Sequence, residues 1–299
     1  MDVSVIIINY NTFEETKNCL DSVFERTSGV SFEVILVDNA STDQSREMFE
    51  ADARIQYVYN EKNLGFGRAN NIGIERSTGR NILFLNSDTV LKNDAISILC
   101  RYLDEHPAVG IVGGNLYGRD GQPTHSYRRY LPSFYSEISE ALKGLPDRWF
   151  FGENAEFNHT GQPRRVKQIT GADLMIRKKL IDEMGVCFDP DFFMYYEDTE
   201  LCWRVLKAGH EIVSVPQAEI VHLEGISGKK NQSVRKSQIL RNSKNLYLRK
   251  CLPTLSRILI NSFRISLILL RGLVPPYTEE KKAANQFALQ SIRHPNPNR

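Results

Sequence analysis

The sequence predicts an α/β fold, a doubly wound and mainly parallel sheet, from three observations. Short β-rich apolar runs alternate with amphipathic stretches, Gly and Asn punctuate them, and polar clusters follow the runs directly. Val3–Asn9 is nearly all apolar, as a central strand buried on both faces requires. Thr12 with Glu15 offers a capping box for a helix whose inner face is Phe13, Leu20, Val23 and Phe24 and which Gly29 ends. Phe32–Val37 is a second buried strand, and Ser41 with Gln44 offers another capping box. Ile55–Tyr59 reads as a third strand, Ala69–Glu75 as a short helix after a Gly-rich turn, and Asn81–Leu85 as a fourth strand. Ala95–Leu103 follows as a helix capped by Asn93, and Val109–Val112 as a fifth strand. From Asn115 to Lys167 the periodicity fades, as in an irregular surface region. Regularity returns at Ala172–Ile176, with a short helix closed by Gly185, a helix Thr199–Ala208 closed by Gly209, and a strand Glu211–Val215. Beyond Gly225 the composition is that of basic helix, and 277–299 reads as a polar, partly disordered tail.

Bulk composition narrows the partners. The chain has 299 residues, enough for a substantial core, with 41% hydrophobic and 25% charged residues. A net charge of +2 supplies no field for nucleic acid, and none is expected as a partner. Charge is unevenly spread: between Glu224 and Glu279 there is no acidic residue, while eleven Lys or Arg fall there. The five cysteines (Cys19, Cys100, Cys187, Cys202, Cys251) form no C-x-x-C pair, so a reducing compartment fits better than a disulfide framework or a zinc site. The apolar run Val3–Ile8 is too short for a signal peptide and reads as strand. No stretch reaches the roughly 18 uncharged apolar residues of a membrane span.

In an open α/β sheet, ligands bind beyond the carboxyl ends of the strands. Four polar clusters fall at such ends: Asn9-Tyr10-Asn11, Asp38-Asn39-Ala40-Ser41, Asn63-Leu64-Gly65-Phe66-Gly67 and Asn86-Ser87-Asp88. Each alone is also turn chemistry. Asp38 suits a nucleobase or ribose, or a helix cap. Gly65-Phe66-Gly67 follows the third strand and has Asn70 where a dinucleotide fingerprint needs Gly, so that fingerprint is weak. Asn86 and Asp88 offer oxygen ligands suited to Mg²⁺ or Mn²⁺ on a diphosphate. Downstream, Tyr195-Tyr196-Glu197-Asp198-Thr199-Glu200 opens a helix. Asp198 caps that helix, or is desolvated among Phe192, Phe193, Tyr195 and Tyr196 and acts as a general base. Leu201 and Trp203 read as core. His222, after Ile220-Val221, is either structural or a metal ligand.

These residues, read together, resemble the family 2 glycosyltransferases. Val3-Ser4-Val5-Ile6-Ile7-Ile8-Asn9-Tyr10-Asn11, Val37-Asp38-Asn39-Ala40-Ser41-Thr42-Asp43, Asn63-Leu64-Gly65-Phe66-Gly67, Leu85-Asn86-Ser87-Asp88-Thr89 and Glu197-Asp198-Thr199-Glu200-Leu201 carry the likeness, in order, over roughly residues 3–224. Within the family the chain is similar to a bacterial rhamnosyltransferase-like branch that builds cell-surface polysaccharide. The resemblance implies a GT-A fold with a Rossmann-like nucleotide-binding half (1–114), an acceptor half (115–224), a basic amphipathic helical region (225–276) and the tail. It implies inverting transfer of one sugar from a nucleoside-diphosphate sugar, with dTDP-rhamnose as a candidate, to a glycan or polyprenyl-diphosphate-linked acceptor. By position, Asp38 would hold base or ribose, with Asn9, Tyr10, Asn11, Asn63, Gly67, Asn86 and Ser87 around the donor. Asp88 matches the last Asp of the D-x-D metal motif, His222 a further metal-site histidine, and Asp198 the catalytic base with Glu197 beside it. One departure stands out: Asn86 replaces the first Asp of D-x-D, removing a charge. Q-x-x-R-W, the pattern of processive synthases, is absent.

Two other readings compete. Nucleotidyltransferases carry a Gly-rich basic loop after strand one, where this chain has Asn9-Tyr10-Asn11-Thr12. An inactive carbohydrate-binding scaffold has no need of Asp88, Asp198 and His222 together. For location, Arg257, Arg264 and Arg271 share a helix face, with Ile258-Leu259-Ile260, Phe263 and Leu267-Ile268-Leu269-Leu270 between them. Upstream, Lys229, Lys230, Arg235, Lys236, Arg241, Lys244, Arg249 and Lys250 add a basic surface. The expectation is a cytoplasmic protein, peripheral on the inner face of the plasma membrane. The competing one packs this helix on the catalytic domain or on a second subunit of a homodimer, basic face in water.

Overall fold

The computed structural model describes residues 1–223, 232–272, 285–290 and 292. Gly225, Lys229 and Lys230, most of the 277–299 tail, and the side chain of Arg271 lie outside the described residues. The first half of the chain alternates strand and helix: β1 Val3–Asn9, α1 Phe13–Arg26, β2 Phe32–Asp38, α2 Ser45–Glu50, β3 Gln56–Tyr59, α3 Phe66–Arg76, β4 Asn81–Asn86, β5 Thr89–Leu91, α4 Ala95–Glu105 and β6 Val109–Tyr117. There follow β7 Tyr127–Arg128, α5 Phe134–Ala141, α6 Leu145–Phe151, β8 Arg164–Val166, β9 Gln168–Ile169, β10 Asp173–Arg177, α7 Lys178–Met184, α8 Glu197–Lys207 and β11 Glu211–His222. Two long helices, α9 Gln232–Cys251 and α10 Thr254–Gly272, complete the described fold.

The main sheet runs β3-β2-β1-β4-β10-β6-β11-β5, with β8 beside β11. Its first four strands are parallel, as the alternation predicts. Beyond β4 the sheet departs from that expectation: β10 is antiparallel to both β4 and β6, and β5 and β8 are antiparallel to β11. The cause is the excursion after β6, from which the chain returns at the carboxyl edge, so that Asp173 enters opposite Leu85.

Alternation along each central strand feeds two cores. Val3, Val5 and Ile7 of β1 face α1 and α4, while Ile6 faces Ala69 of α3 and, further along the sheet, Leu201 and Val205 of α8. Ile6 and Ile7 are fully buried, each contributing about 1.5–3 kcal/mol. The cysteines are buried free thiols packed among these residues. A third cluster binds α9 and α10 to the rest: Tyr247, Leu248 and Ile260 pack with Phe192, and Tyr196 and Trp203 lean on it.

Three predicted caps are corrected. Thr12 makes no side-chain cap; its hydroxyl meets Asn9 Oδ1 (2.9 Å) and Ser87 Oγ (3.2 Å). Ser41 likewise serves Asn9 and Asn11, four residues ahead of α2. Asp94 rather than Asn93 caps α4, and Asn93 ties down β11 through Gln217 O and Glu219 N. In each case a polar group with a tertiary partner nearby is drawn from the local cap. The stretch 115–167 is more regular than its composition suggests: β6 runs to Tyr117, and α5 is closed by a Ser133–Ser136 capping box. Ser at the third helical position replaces the usual Glu or Gln, so the motif is hard to see in sequence.

Candidate functional site

Register brings the polar clusters level. Asn9 lies opposite Asp38 and Ile8 opposite Asn86, so β1, β2 and β4 end on one edge with their polar residues side by side. Asn9 and Asp38 are fully buried. Asn9 Nδ2 donates to Asp38 Oδ2 (3.2 Å) and Ser41 Oγ (3.1 Å), while its Oδ1 accepts from the Thr12 and Thr16 hydroxyls. Asp38 Oδ1 accepts from the Ser41 backbone N–H at 2.7 Å. Both residues therefore shape this strand-end edge from inside, and exposed Tyr10 and Asn11 present its surface. Asn11 and Ala40 hold positive φ of 55° and 70° at these strand ends.

The Asn63 loop is a brace. Asn63 Oδ1 accepts from Asn39 Nδ2 (3.0 Å) and Gly65 N (2.9 Å), and Asn39 Oδ1 accepts from Leu64 N (3.0 Å) and Asn60 Nδ2 (3.2 Å). Gly65 sits at φ +85°, with Phe193 O only 2.1 Å from where a Cβ would stand. Phe66 N donates to that same Phe193 O at 2.8 Å, so this loop holds the segment leading into α8. Gly67 is buried, its missing Cβ 3.0 Å from Phe188 Cβ; it admits a neighbour rather than facing that edge.

At the end of β4, Asn86, Ser87 and Asp88 are half-buried. The β5–β11 pairing sets His222 opposite Thr89, which carries its ring to Asp88. His222 Nε2 lies 3.2 Å from Asp88 Oδ1 and 3.3 Å from Asn86 Nδ2. One carboxylate and one imidazole can hold a divalent cation whose remaining ligands are diphosphate oxygens and water. Among the described residues no group of three or more His, Cys, Asp or Glu converges to cage an ion.

The second pole of the site is the start of α8. Tyr195 and Tyr196 are consecutive residues at φ 68° and 69°, a strain of about 1–3 kcal/mol each that the packing of Tyr196 against Tyr247 helps to hold. Asp198 follows, half-buried, its Oδ1 accepting from Thr199 N (2.6 Å) and its Oδ2 from Gly171 N (3.0 Å). The desolvation expected at Asp198 falls instead on Glu197, which is 5% exposed. Burial, reinforced by the Asp198 charge, pushes the Glu197 carboxyl up to about 8. Glu197, the more buried of the two carboxyls, is thus the one whose charged form burial disfavours.

The two poles are joined by backbone. Asn86 N donates to Ala172 O at 3.0 Å, and the next residue back, Gly171, donates to Asp198. Gly171-Ala172 thus spaces Asp198 from the Asn86–Asp88–His222 end. Sequence reasoning missed this link, and also Asp173, whose buried carboxylate accepts from Gly114 N at 2.6 Å and is pushed up to about 7 by burial. A charged residue inside an apolar strand, Asp173 in Asp173–Arg177, was the available signal. Among the described residues, four of the five non-glycine residues at positive φ, Asn11, Ala40, Tyr195 and Tyr196, lie after β1, after β2 and just before α8.

Comparison with known proteins gives a consistent picture. The family model "Glycosyl transferase family 2" matches residues 4–185. The low-salt glycan biosynthesis hexosyltransferase Agl10 of Haloferax volcanii is 28% identical over 224 residues, covering 74% of this chain and 66% of that protein. The crystal structure of S. aureus TarS 1-349 superposes with a TM-score of 0.60 at 16% identity, covering 99% of this chain and 81% of that one. The structure of GalNAc-T7 with UDP, GalNAc and Mn²⁺ gives 0.58 at 16% identity, over 77% of this chain and 44% of that one. The fold is GT-A.

Proposed function

This chain belongs to glycosyl transferase family 2, and we propose on that footing that it transfers a single sugar from a nucleoside-diphosphate sugar to a glycan or lipid-linked acceptor, with inversion at the anomeric carbon. The observation that carries this reading is the backbone link between Asn86 and Asp198, which ties the half-buried Asp198 carboxylate through Gly171-Ala172 to the Asn86–Asp88–His222 end. Residues 1–114 are the donor half in this reading and 115–224 the acceptor half. Tyr10 and Asn11 line the nucleotide, over a wall that Asn9 and Asp38 hold in shape; Asn86 and Ser87 border the diphosphate. Asp88 and His222 would hold Mn²⁺ or Mg²⁺, which would offset negative charge on the departing diphosphate.

Chemically the step needs one base. Asp198 takes the proton of the acceptor hydroxyl, the oxygen attacks the anomeric carbon, and the carbon–oxygen bond to the β-phosphate breaks with its electron pair leaving on the diphosphate. Gly171 N–H and Thr199 N–H orient the carboxylate. The rest is positioning and electrostatics. Agl10's name supports a hexose in glycan assembly; a rhamnosyl donor is the narrower proposal from sequence. A donor-hydrolysis and transfer assay across dTDP-, UDP- and GDP-sugars tests it. Turnover of one donor, lost in Asp198→Asn, is expected; nucleotide transfer to a sugar phosphate, or no turnover with any donor, would remove the reading.

A further inference from the structure

Helix α10 is mounted against its own amphipathicity. The sequence puts its arginines outward, yet the Arg264 side chain is 12% exposed, donates to Asn245 Oδ1 at 2.6 Å and approaches Glu137 at 3.9 Å. Ile260 is fully buried on that inward line. What faces outward is Leu255, Ile258, Leu259, Leu269 and Leu270, each between 53% and 70% exposed. A second apolar group stands on α6, just past the α5–α6 turn, where Trp149 is 86% exposed, Phe150 68% and Leu145 63%. That turn is braced: Asp147 accepts from the hydroxyls of Tyr130 (2.6 Å), Tyr135 (2.9 Å) and Ser139 (2.6 Å). The two groups are continuous, through Phe134 against Phe263 at 5.3 Å and Tyr135 against Phe150 at 6.2 Å.

Exposed apolar surface of this extent, with aromatics at its rim, marks a binding face. Its charge indicates the occupant. Residues 232–272 contain no acidic residue and nine Lys or Arg, of which Lys244, Lys250 and Arg264 are engaged by carboxylates outside that stretch. Arg235, Lys236 and Arg249 are exposed on α9, and Lys143 and Arg148 beside the α5–α6 turn. Glu140, an acid beside this face, is taken up by Lys244 at 2.7 Å. A second copy of the chain would set like charges against like, since a two-fold contact brings a patch onto itself. An anionic bilayer is complementary in both respects.

We propose that the outer face of α10 and the α5–α6 turn form one docking surface for an anionic membrane, with Trp149, Phe150 and the α10 leucines in the interface and the lysines and arginines on the headgroups. The inference goes beyond the transferase reading and does not depend on it. The unmodified chain should float with phosphatidylcholine vesicles containing phosphatidylglycerol, bind pure phosphatidylcholine weakly, and lose part of its binding in high salt. The doubles Trp149→Glu/Phe150→Glu and Ile258→Glu/Leu259→Glu should each lower the bound fraction by about tenfold or more, with thermal melting and nucleoside-diphosphate binding unchanged. Should a double fail to fold, brominated lipid applied to the unmodified chain reports directly, because Trp149 is exposed while Trp203 is packed between helices; quenching is expected. No flotation and no quenching would overturn the proposal. So would a dimer by light scattering that both doubles make monomeric without any vesicle binding. Nucleoside-diphosphate binding is read separately, so failure of the docking surface is distinguishable from failure of the transferase reading.

Discussion

Asp198 and Glu197 are adjacent carboxyls with opposite surroundings, and their difference is testable. Asp198→Asn keeps the acceptor oxygen for Gly171 N–H but removes the base, so transfer should fall by roughly 10²–10⁴ while nucleotide binding is retained; single-turnover transfer and calorimetric binding check the two halves. Glu197 predicts a pH effect. Its folded-state affinity for a proton exceeds that of the unfolded chain, because burial raises the carboxyl from the ordinary 4.5 to about 8. Between those values the native state binds more protons than the unfolded one, so this residue's contribution to stability declines as pH rises from about 4.5 and is fully lost above about 8. Glu197→Gln removes that decline. Melting curves should show the variant gaining on the parent as pH is raised from 5 to 8.5, and equal slopes would remove the buried-proton account. Both roles follow from which side chain is desolvated, and a sequence that reads Glu-Asp cannot say which.

Among elements, the turn before α3 and the β4–β5 turn do the most for the site. Gly65→Ala would force a Cβ into Phe193 O at positive φ, and the turn would have to open. A loss of more than about 1 kcal/mol is expected in urea unfolding, with a larger fractional loss of transfer, because Phe66 N–Phe193 O is the brace on the segment that carries Asp198. At the β4–β5 turn, Asp88→Ala should weaken nucleotide-sugar binding measured with Mn²⁺ and leave metal-free nucleoside binding nearly unchanged. Chelation of the parent should reproduce the effect, whereas full activity in excess EDTA would remove the metal role of Asp88 and His222 together. Asn63, Gly65 and Asn86 were all visible as candidates from their place after apolar runs. Their partners were not, because Phe193 and Ala172 are far away in sequence.

Across the whole molecule, α9 acts as a buttress for the segment that leads into α8. Lys250 Nζ reaches Asp189 (2.5 Å) and Asp191 (2.7 Å), and Tyr247 is fully buried against the Tyr196 that sits at positive φ. Tyr247→Ala should cost about 3–5 kcal/mol as a large buried ring is deleted. It should also lower the transfer rate more than it weakens nucleotide binding, because Tyr196 loses the packing that holds its strained backbone. Urea unfolding and a comparison of kcat with KM check this; an unchanged kcat at full occupancy would detach α9 from the site. No helix among the described residues is long and apolar enough to cross a membrane.

The amino-acid sequence by itself determined the parallel strands β1–β4, the strand β6, the helices between them and the edge on which the polar clusters fall. These rest on periodicity and turn chemistry, which act within a few residues. It also determined the family, through motifs whose residues are close in the chain. Tertiary structure alone decided that β10 enters antiparallel, that Thr12, Ser41 and Asn93 leave their caps for distant partners, and that Asn9 and Asp38 are wall rather than surface. It also decided that α10 turns Arg264 inward and its leucines outward. Each outcome compares a local preference of about 1 kcal/mol with a buried hydrogen bond or ion pair of similar or greater worth. Since the winning partner lies tens of residues away, only the folded chain could reveal it.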